Sequence, residues 1–389
     1  MNVPEWNQRI QRWMADQAAG MERMYAELHE LAEIGWQEHL TTAYIGERLS
    51  EVGLEVRTFA EHTGAIGTWS GPGGGRSVAL RADMDALWQP VNGQWRANHS
   101  CGHDAHMTMV FFAVRCLKEI GYQVPAGELL AVFQPAEETA EGAKALLQTG
   151  LLDAADCMLG IHLRPQRELA NGLASAGIYH GGVAKMHGRI HGRQAHAARP
   201  EDGINALETL AAIVTAVRAI RADLESGASC KVTTARVPNE SDNVIPDEAE
   251  FAIDIRASSF EKLERLAERV RQTAAEIGEA DGAEVVTDWV NKAAPAIPNI
   301  DMERIVGEAI VEVLGEKGLA LPVITPGAED FHFYAMERRS LQATMIGLGC
   351  GLAPGLHHPE MTFDHEAMRT GAAILAMSAI KLLEEGRQR

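Results

Sequence analysis

Eight consecutive positions, His99-Ser100-Cys101-Gly102-His103-Asp104-Ala105-His106, hold a thiol, a carboxylate and three imidazoles. Sulfur and imidazole suit Zn2+ or Mn2+-type ions, and a carboxylate either adds a hard oxygen or orients a ligating histidine from behind. Cys101 and His103 stand two apart around Gly102, so both can reach one ion without helical geometry. A nucleophilic cysteine is the competing chemistry, but no oxyanion motif or base is legible beside it; a buried thiol among surface histidines is the bland alternative. A second candidate is Glu137-Glu138, which follows Gln134-Pro135-Ala136. Metal-assisted hydrolysis needs one carboxylate on the metal and another free to take a proton from water, and adjacent acids in a turn can divide that labour. The same pair would also suit a solvated helix N-terminus. His162 and His357, the latter in Gly355-Leu356-His357-His358-Pro359, extend the set. A lone histidine is ordinarily a core or surface residue, but four separated segments each ending in metal-type donors are harder to dismiss. Asp83 and Asp85 read equally as supporting acids or as caps.

These residues need elements that bring them together. Ser77 to Arg81 (SVALR), Leu129 to Phe133 (LLAVF) and Cys157 to Ile161 (CMLGI) read as buried strands, each delivering acid or imidazole at its carboxyl end. In open α/β sheets the ligand site lies outside that end. Met107 to Ile120 reads as a helix and puts the Cys101 cluster at its N-terminus, whose partial positive charge favours a thiolate. Upstream, residues 6 to 34 carry apolar positions at helical spacing and Thr41 to Val52 reads as a further helix.

The rhythm changes near Tyr179. A strand over Gly181 to Gly192, a helix over Asn205 to Leu224, strands at Cys230 to Val237 and Glu248 to Arg256, a helix over Phe260 to Ile277 and a strand at Ala283 to Val290 follow. That β-α-β-β-α-β order is the ferredoxin-like unit, about the size of a small domain and inserted into the first one. Helix and strand segments resume at Met302 to Leu314 and Gln342 to Leu348, and a last helix runs from His365 to Glu385. The predicted fold class is therefore α/β, with a catalytic domain of residues 1–178 and 295–389 around a central mixed sheet and a satellite of residues 179–294. In the satellite, His196, Asn243 and Arg256 are candidate substrate contacts. Arg is the natural fork for a carboxylate and Asn an adaptable donor, yet each also suits a surface or turn.

A chain of 389 residues favours two domains. Its 35 Lys plus Arg against 54 Asp plus Glu give a formal charge of −19, which argues against nucleic acid or an anionic membrane as partner and leaves small molecules. No secretory leader or run of about 18 apolar residues is legible, so a cytoplasmic address is expected. The five cysteines are odd in number and scattered, which predicts reduced thiols.

The motifs RADMDAL (81–87), HSCGHDAHM (99–107), FQPAEE (133–138), GIHLRP (160–165), GRQAHAARP (192–200), NVIPD (243–247), GAEDF (327–331) and HHPEMTFD (357–364) together resemble the aminoacylase and carboxypeptidase family of dinuclear metallopeptidases. More narrowly they resemble its amidohydrolase branch, which includes aminoacylases, hippurate hydrolases and hydrolases of indole-acetyl amino acids. The resemblance implies two divalent ions, Mn2+ or Zn2+, held by Cys101 in the bridging position with His103, Glu138, His162 and His357. It prefers His357 to His358, which stands one residue closer to the proline. It makes Glu137 the general base; Asp83, after a strand end, is the candidate supporting acid behind the ligands. It also implies His196 as an oxyanion or substrate contact, given across a dimer in related enzymes, with Asn243 and Arg256 taking the substrate's carboxylate. The expected activity is hydrolysis of N-acyl amino acids or related amides by a homodimer joined through its satellites. A dipeptidase or carboxypeptidase of the same family, or a non-catalytic ligand-binding member, is the alternative. One departure is the short path through Trp88-Gln89-Pro90 and Asn92-Gly93-Gln94-Trp95 to His99, where many relatives carry a longer acidic stretch.

Overall fold

The apolar runs read as strands form the middle of an eight-stranded mixed sheet. Its order is Glu55–Thr58, Ala65–Ser70, Glu128–Gln134, Ser77–Asp83, Cys157–Pro165, Gln342–Leu352, Ala174–Ser175, Leu319–Ala320. The four central strands, from Glu128–Gln134 to Gln342–Leu352, are parallel to one another. Parallel strands are covered on both faces and so read as near-continuous apolar runs; every residue of Ser77–Asp83 and of Cys157–Pro165 is buried. This computed structural model describes residues 3–220 and 228–385. By its contacts the chain divides into two units, Met1–Tyr179 with Ile297–Thr325 and Asp330–Arg389, and His180–Ala296 with Pro326–Glu329.

Several elements differ in extent from their sequence pattern. His162 was expected just beyond a strand end but lies inside Cys157–Pro165. The ladder with Gln342–Leu352 continues past it, pairing His162 with Gly347 and Arg164 with Gly349. The helix after the cysteine begins at His103 rather than Met107, capped by Gly102 at φ 88°. The N-terminal apolar pattern breaks at Gln17 into two helices, Val3–Asp16 and Ala18–Glu30. An unread feature is the hairpin Leu87–Val91 with Gln94–Asn98. Its turn, Asn92-Gly93, has both φ angles positive, the geometry that two-residue hairpin loops favour.

The second unit has four antiparallel strands in the order Ser229–Arg236, Glu248–Ala257, Gly182–His191, Glu284–Ala293. Helices Ala206–Ala219 and Phe260–Asp281 complete the β-α-β-β-α-β succession, started by Asn205 and Ser259, whose side chains accept from Leu207 and Lys262 N–H. The expected end of the first helix, Leu224, lies outside the described residues. This unit also takes in Pro326–Glu329, four residues far from the rest in sequence. No helix among the described residues is long and apolar enough to cross a membrane.

One glycine fixes the loop after the Glu128–Gln134 strand. The Pro135 carbonyl presses against Gly142 so closely that an added Cβ would collide with its oxygen. Gly142→Ala is therefore expected to cost about 3 kcal/mol or more in urea unfolding, the upper range for overpacking. Gly73→Ala, which meets nothing within 4 Å, should stay within about 0.5 kcal/mol. Equal effects at the two positions would contradict the close approach.

Candidate metal centre

The parallel strands send four segments to one edge of the sheet. Ser77–Asp83 leads to Asp85, Glu128–Gln134 to Glu137 and Glu138, Cys157–Pro165 carries His162, and Gln342–Leu352 leads towards His357. Cys101 and His103 come from the start of the His103–Glu119 helix. Cys101, His103 and His162 offer donor atoms within 4.8 Å of one another, and so do Cys101, Glu138 and His357. The two groups share the sulfur. Cys101 Sγ lies 3.6 Å from His162 Nε2, and His357 Nε2 lies 3.2 Å from Glu138 Oε1.

Hydrogen bonds decide which imidazole nitrogens are free to ligate. His103 Nδ1 donates to the Asp85 carbonyl at 2.8 Å, and His162 Nδ1 to the Leu163 carbonyl at 2.7 Å. Each fixes the tautomer that leaves the Nε2 lone pair available. His103 Nε2 is buried with no hydrogen-bond partner among the described residues. His106 is spent on both sides: Nδ1 donates to Asp83 Oδ1 at 2.7 Å, and Nε2 accepts from Leu163 N–H at 3.0 Å. Asp83 is spent too, its Oδ2 accepting from Arg81 at 2.7 Å. Asp104 accepts from His29 at 2.8 Å and from Ala105 N–H, which removes it from the donor set. His99 is buried beside these groups with neither ring nitrogen paired among the described residues, and burial pushes it down to about 4. His358 accepts from Glu360 N–H and belongs to neither donor group.

The electrostatics ask for positive charge. Contacts with Cys101 and Glu138 push the His357 imidazole up to about 10. Burial opposes charge on His103, yet Asp83, Cys101 and Asp85 together outweigh it and hold that imidazole well above its usual range. Burial likewise opposes charge on Glu138, and His357 with His103 keeps it below the ordinary carboxylate value. Burial pushes the Cys101 thiol up, which is the opposite of what a free nucleophilic cysteine needs. An orphaned Nε2 among a thiol, three imidazoles and a carboxylate fits divalent cations of the Zn2+ class.

The Glu137-Glu138 pair is not at a helix N-terminus. It sits in a turn ahead of the helix Gly142–Gln148, with Ala136 at φ 52°. Asp85 Oδ1 accepts from Glu137 N–H at 3.1 Å and its Oδ2 from Glu138 N–H at 3.0 Å. Sequence reasoning left Asp85 undecided, since nothing in a linear pattern shows that an acid will accept from a backbone fifty residues away. In the second unit His196 is exposed on Ala195–His196, paired with Val244–Ile245, and Ala197 N–H donates to the Asn243 carbonyl. His196 Nδ1 accepts from Ala198 N–H at 3.0 Å, which leaves Nε2 to carry the proton. Arg256 is forked onto Asp254 at 2.8 and 3.3 Å and donates to the Pro326 carbonyl. A carboxylate bound there would share the guanidinium with Asp254.

Removing Asp85's acceptors leaves one buried and one part-buried N–H group without these partners. Asp85→Ala is expected to lower stability by about 3 kcal/mol in urea unfolding, since bonds to a charged acceptor carry about 1.5 to 3 kcal/mol each. A change below about 0.5 kcal/mol would show that the turn does not rest on Asp85.

Comparison with known proteins agrees in extent and type. An N-acetylcysteine deacetylase of Bacillus subtilis is 28% identical over 95% of this chain and 99% of its own. An IAA-amino acid hydrolase of Arabidopsis thaliana is 28% identical over 94% of this chain and 85% of its own. A crystal structure of a dinuclear metal binding peptidase from Bacillus subtilis superposes with a TM-score of 0.79 at 25% identity, covering 95% of this chain and 99% of that one. Residues 79–381, most of the chain and all of the donor segments just described, match peptidase family M20/M25/M40, and the chain belongs to that family.

Proposed function

We propose that this chain is a metal-dependent amidohydrolase that cleaves the amide bond of N-acyl amino acids or related amino-acid conjugates. The observation that carries the reading is the pair of donor groups sharing Cys101, with a second carboxylate, Glu137, directly beside them. Relatives named for deacetylation and for hydrolysis of amino-acid conjugates support the substrate class. One ion would be held by Cys101, His103 and His162, the other by Cys101, Glu138 and His357, and Zn2+ or Mn2+ suits these donors. Such ions supply Lewis acidity, polarising the scissile carbonyl and lowering the pKa of water.

The chain's own residues then have distinct tasks. Glu138 ligates while Glu137 takes the proton from water and returns it to the departing amine nitrogen. Asp83 and Asp85 hold His106, His103 and the carboxylate turn in place. His196 presents Nε2–H, the donor an oxyanion needs. Asn243 and Arg256 take the substrate's carboxylate. A homodimer formed through the second unit and a cytoplasmic location complete the reading. The latter is supported by five buried cysteines that remain thiols, as expected where thiols stay reduced.

The test is a Zn2+- or Mn2+-reconstituted preparation assayed on N-acetyl and N-benzoyl amino acids against dipeptides. Faster turnover of the N-acyl compounds is expected, and a preference for dipeptides would overturn the substrate class. Glu137→Gln should keep its metal content while the rate falls about 10²- to 10⁴-fold, the range for losing a general base. Retained turnover would remove Glu137 from that role.

A further inference from the structure

Among the buried carboxylates to which the proposed mechanism gives no task, Glu38 is the one bonded to the Glu137-Glu138 turn. Glu38 is completely buried, immediately ahead of the helix His39–Glu51. Its Oε2 accepts from Thr63 Oγ1 at 2.6 Å and its Oε1 from Ala136 N–H at 2.8 Å, across 98 positions of sequence. Ala136 is the residue before Glu137 and is held at φ 52°, a conformation costly for a residue with a side chain and kept only where its surroundings enforce it. With the two Asp85 contacts, three successive N–H groups, those of residues 136, 137 and 138, donate to two buried carboxylates.

The segment around Glu38 follows the same loop. Trp36 Nε1 donates to Glu141 Oε2 at 2.8 Å. Gly35 lies so near that an added Cβ would stand 3.2 Å from Ala136 Cα and 3.3 Å from Asp85 Oδ2. Glu33 accepts through its carbonyl from Ala86 N–H at 2.8 Å, next to Asp85. This stretch precedes the residues that match the family, 79–381.

We propose that Glu38 is a positioning residue whose carboxylate oxygen fixes the Ala136–Glu138 turn and thereby aims both Glu137 and Glu138. The proposal rests on the amidohydrolase reading above. What the turn needs from Glu38 is an acceptor at the right reach. Gln keeps that oxygen, and its amide can donate to Thr63 Oγ1. Asp keeps the charge but withdraws it by one methylene, so the bond to Ala136 either breaks or drags the turn.

Glu38→Asp, Glu38→Gln and Glu38→Ala separate these properties. In the metal-loaded enzyme Glu38→Asp and Glu38→Ala should lower kcat about 10- to 100-fold on an N-acetyl amino acid while KM moves less than about threefold, as for groups that support metal ligands. Glu38→Gln should stay within about threefold of wild type, since it retains the acceptor. In a chelator competition, Zn2+ affinity of Glu38→Asp should fall about tenfold or more because Glu138 moves with the turn. Wild-type kcat and Zn2+ affinity in Glu38→Asp, or a loss in Glu38→Gln as deep as in Glu38→Asp, would overturn the proposal; the Asp and Gln comparison decides it even if Glu38→Ala fails to fold. If the wild type hydrolyses none of the amides, the functional reading fails. Zn2+ affinity alone then judges Glu38: weakened binding in Glu38→Asp supports it and unchanged binding overturns it.

Discussion

Negative charge removed from water at the carboxyl edge of four parallel strands is the constraint on which the rest of this structure turns. A buried carboxylate is tolerated only where donors or cations answer it. Asp83 and Asp330 are answered by the fully buried Arg81 at 2.7 and 3.1 Å, and Asp330 further by Gln134 and Ala143 N–H. Asp85 and Glu38 are answered by consecutive backbone N–H groups of one turn. Cys101 and Glu138 have imidazoles as their neighbours. The protein has spent its own donors elsewhere and left these two to be neutralised by protons or metal.

The same bookkeeping sorts residues that look alike in sequence. His103 and His106 lie three apart on one helix, both fully buried, both near Asp83. One gives Nδ1 to a carbonyl and keeps a lone pair in reserve; the other uses both nitrogens structurally. Glu137 and Glu138 likewise share a backbone clamp, and Glu138 contacts His357. On the proposed reading, ligand, base and support are therefore distinguished less by residue type than by which lone pairs the surrounding backbone has already taken.

Much of this was legible before any coordinates. The strands at Ser77, Leu129 and Cys157 announced themselves by unbroken apolar runs, and a site at their ends follows from parallel topology. The ferredoxin-like succession was readable because its period-2 and period-3.6 segments alternate cleanly. Other features were hidden for physical reasons. His162 sits inside a strand because the ladder partner, not the imidazole, decides where pairing stops. The Asn92-Gly93 hairpin does carry a local signal, since that dipeptide is a strong turn marker. Glu38 and Asp85 could not be assigned, because a side chain accepting from a distant backbone N–H leaves no periodicity or spacing behind. Arg256 was readable as a fork, but not that Asp254, two residues earlier on the same strand, occupies it.

The central claim is that one sulfur joins two metal positions. Anomalous diffraction from crystals of the Mn2+- or Zn2+-loaded protein tests it most directly. The account predicts two peaks flanking Cys101 Sγ, one contacting His103 and His162 and the other Glu138 and His357. A single peak, or two peaks that do not share Cys101, would contradict it.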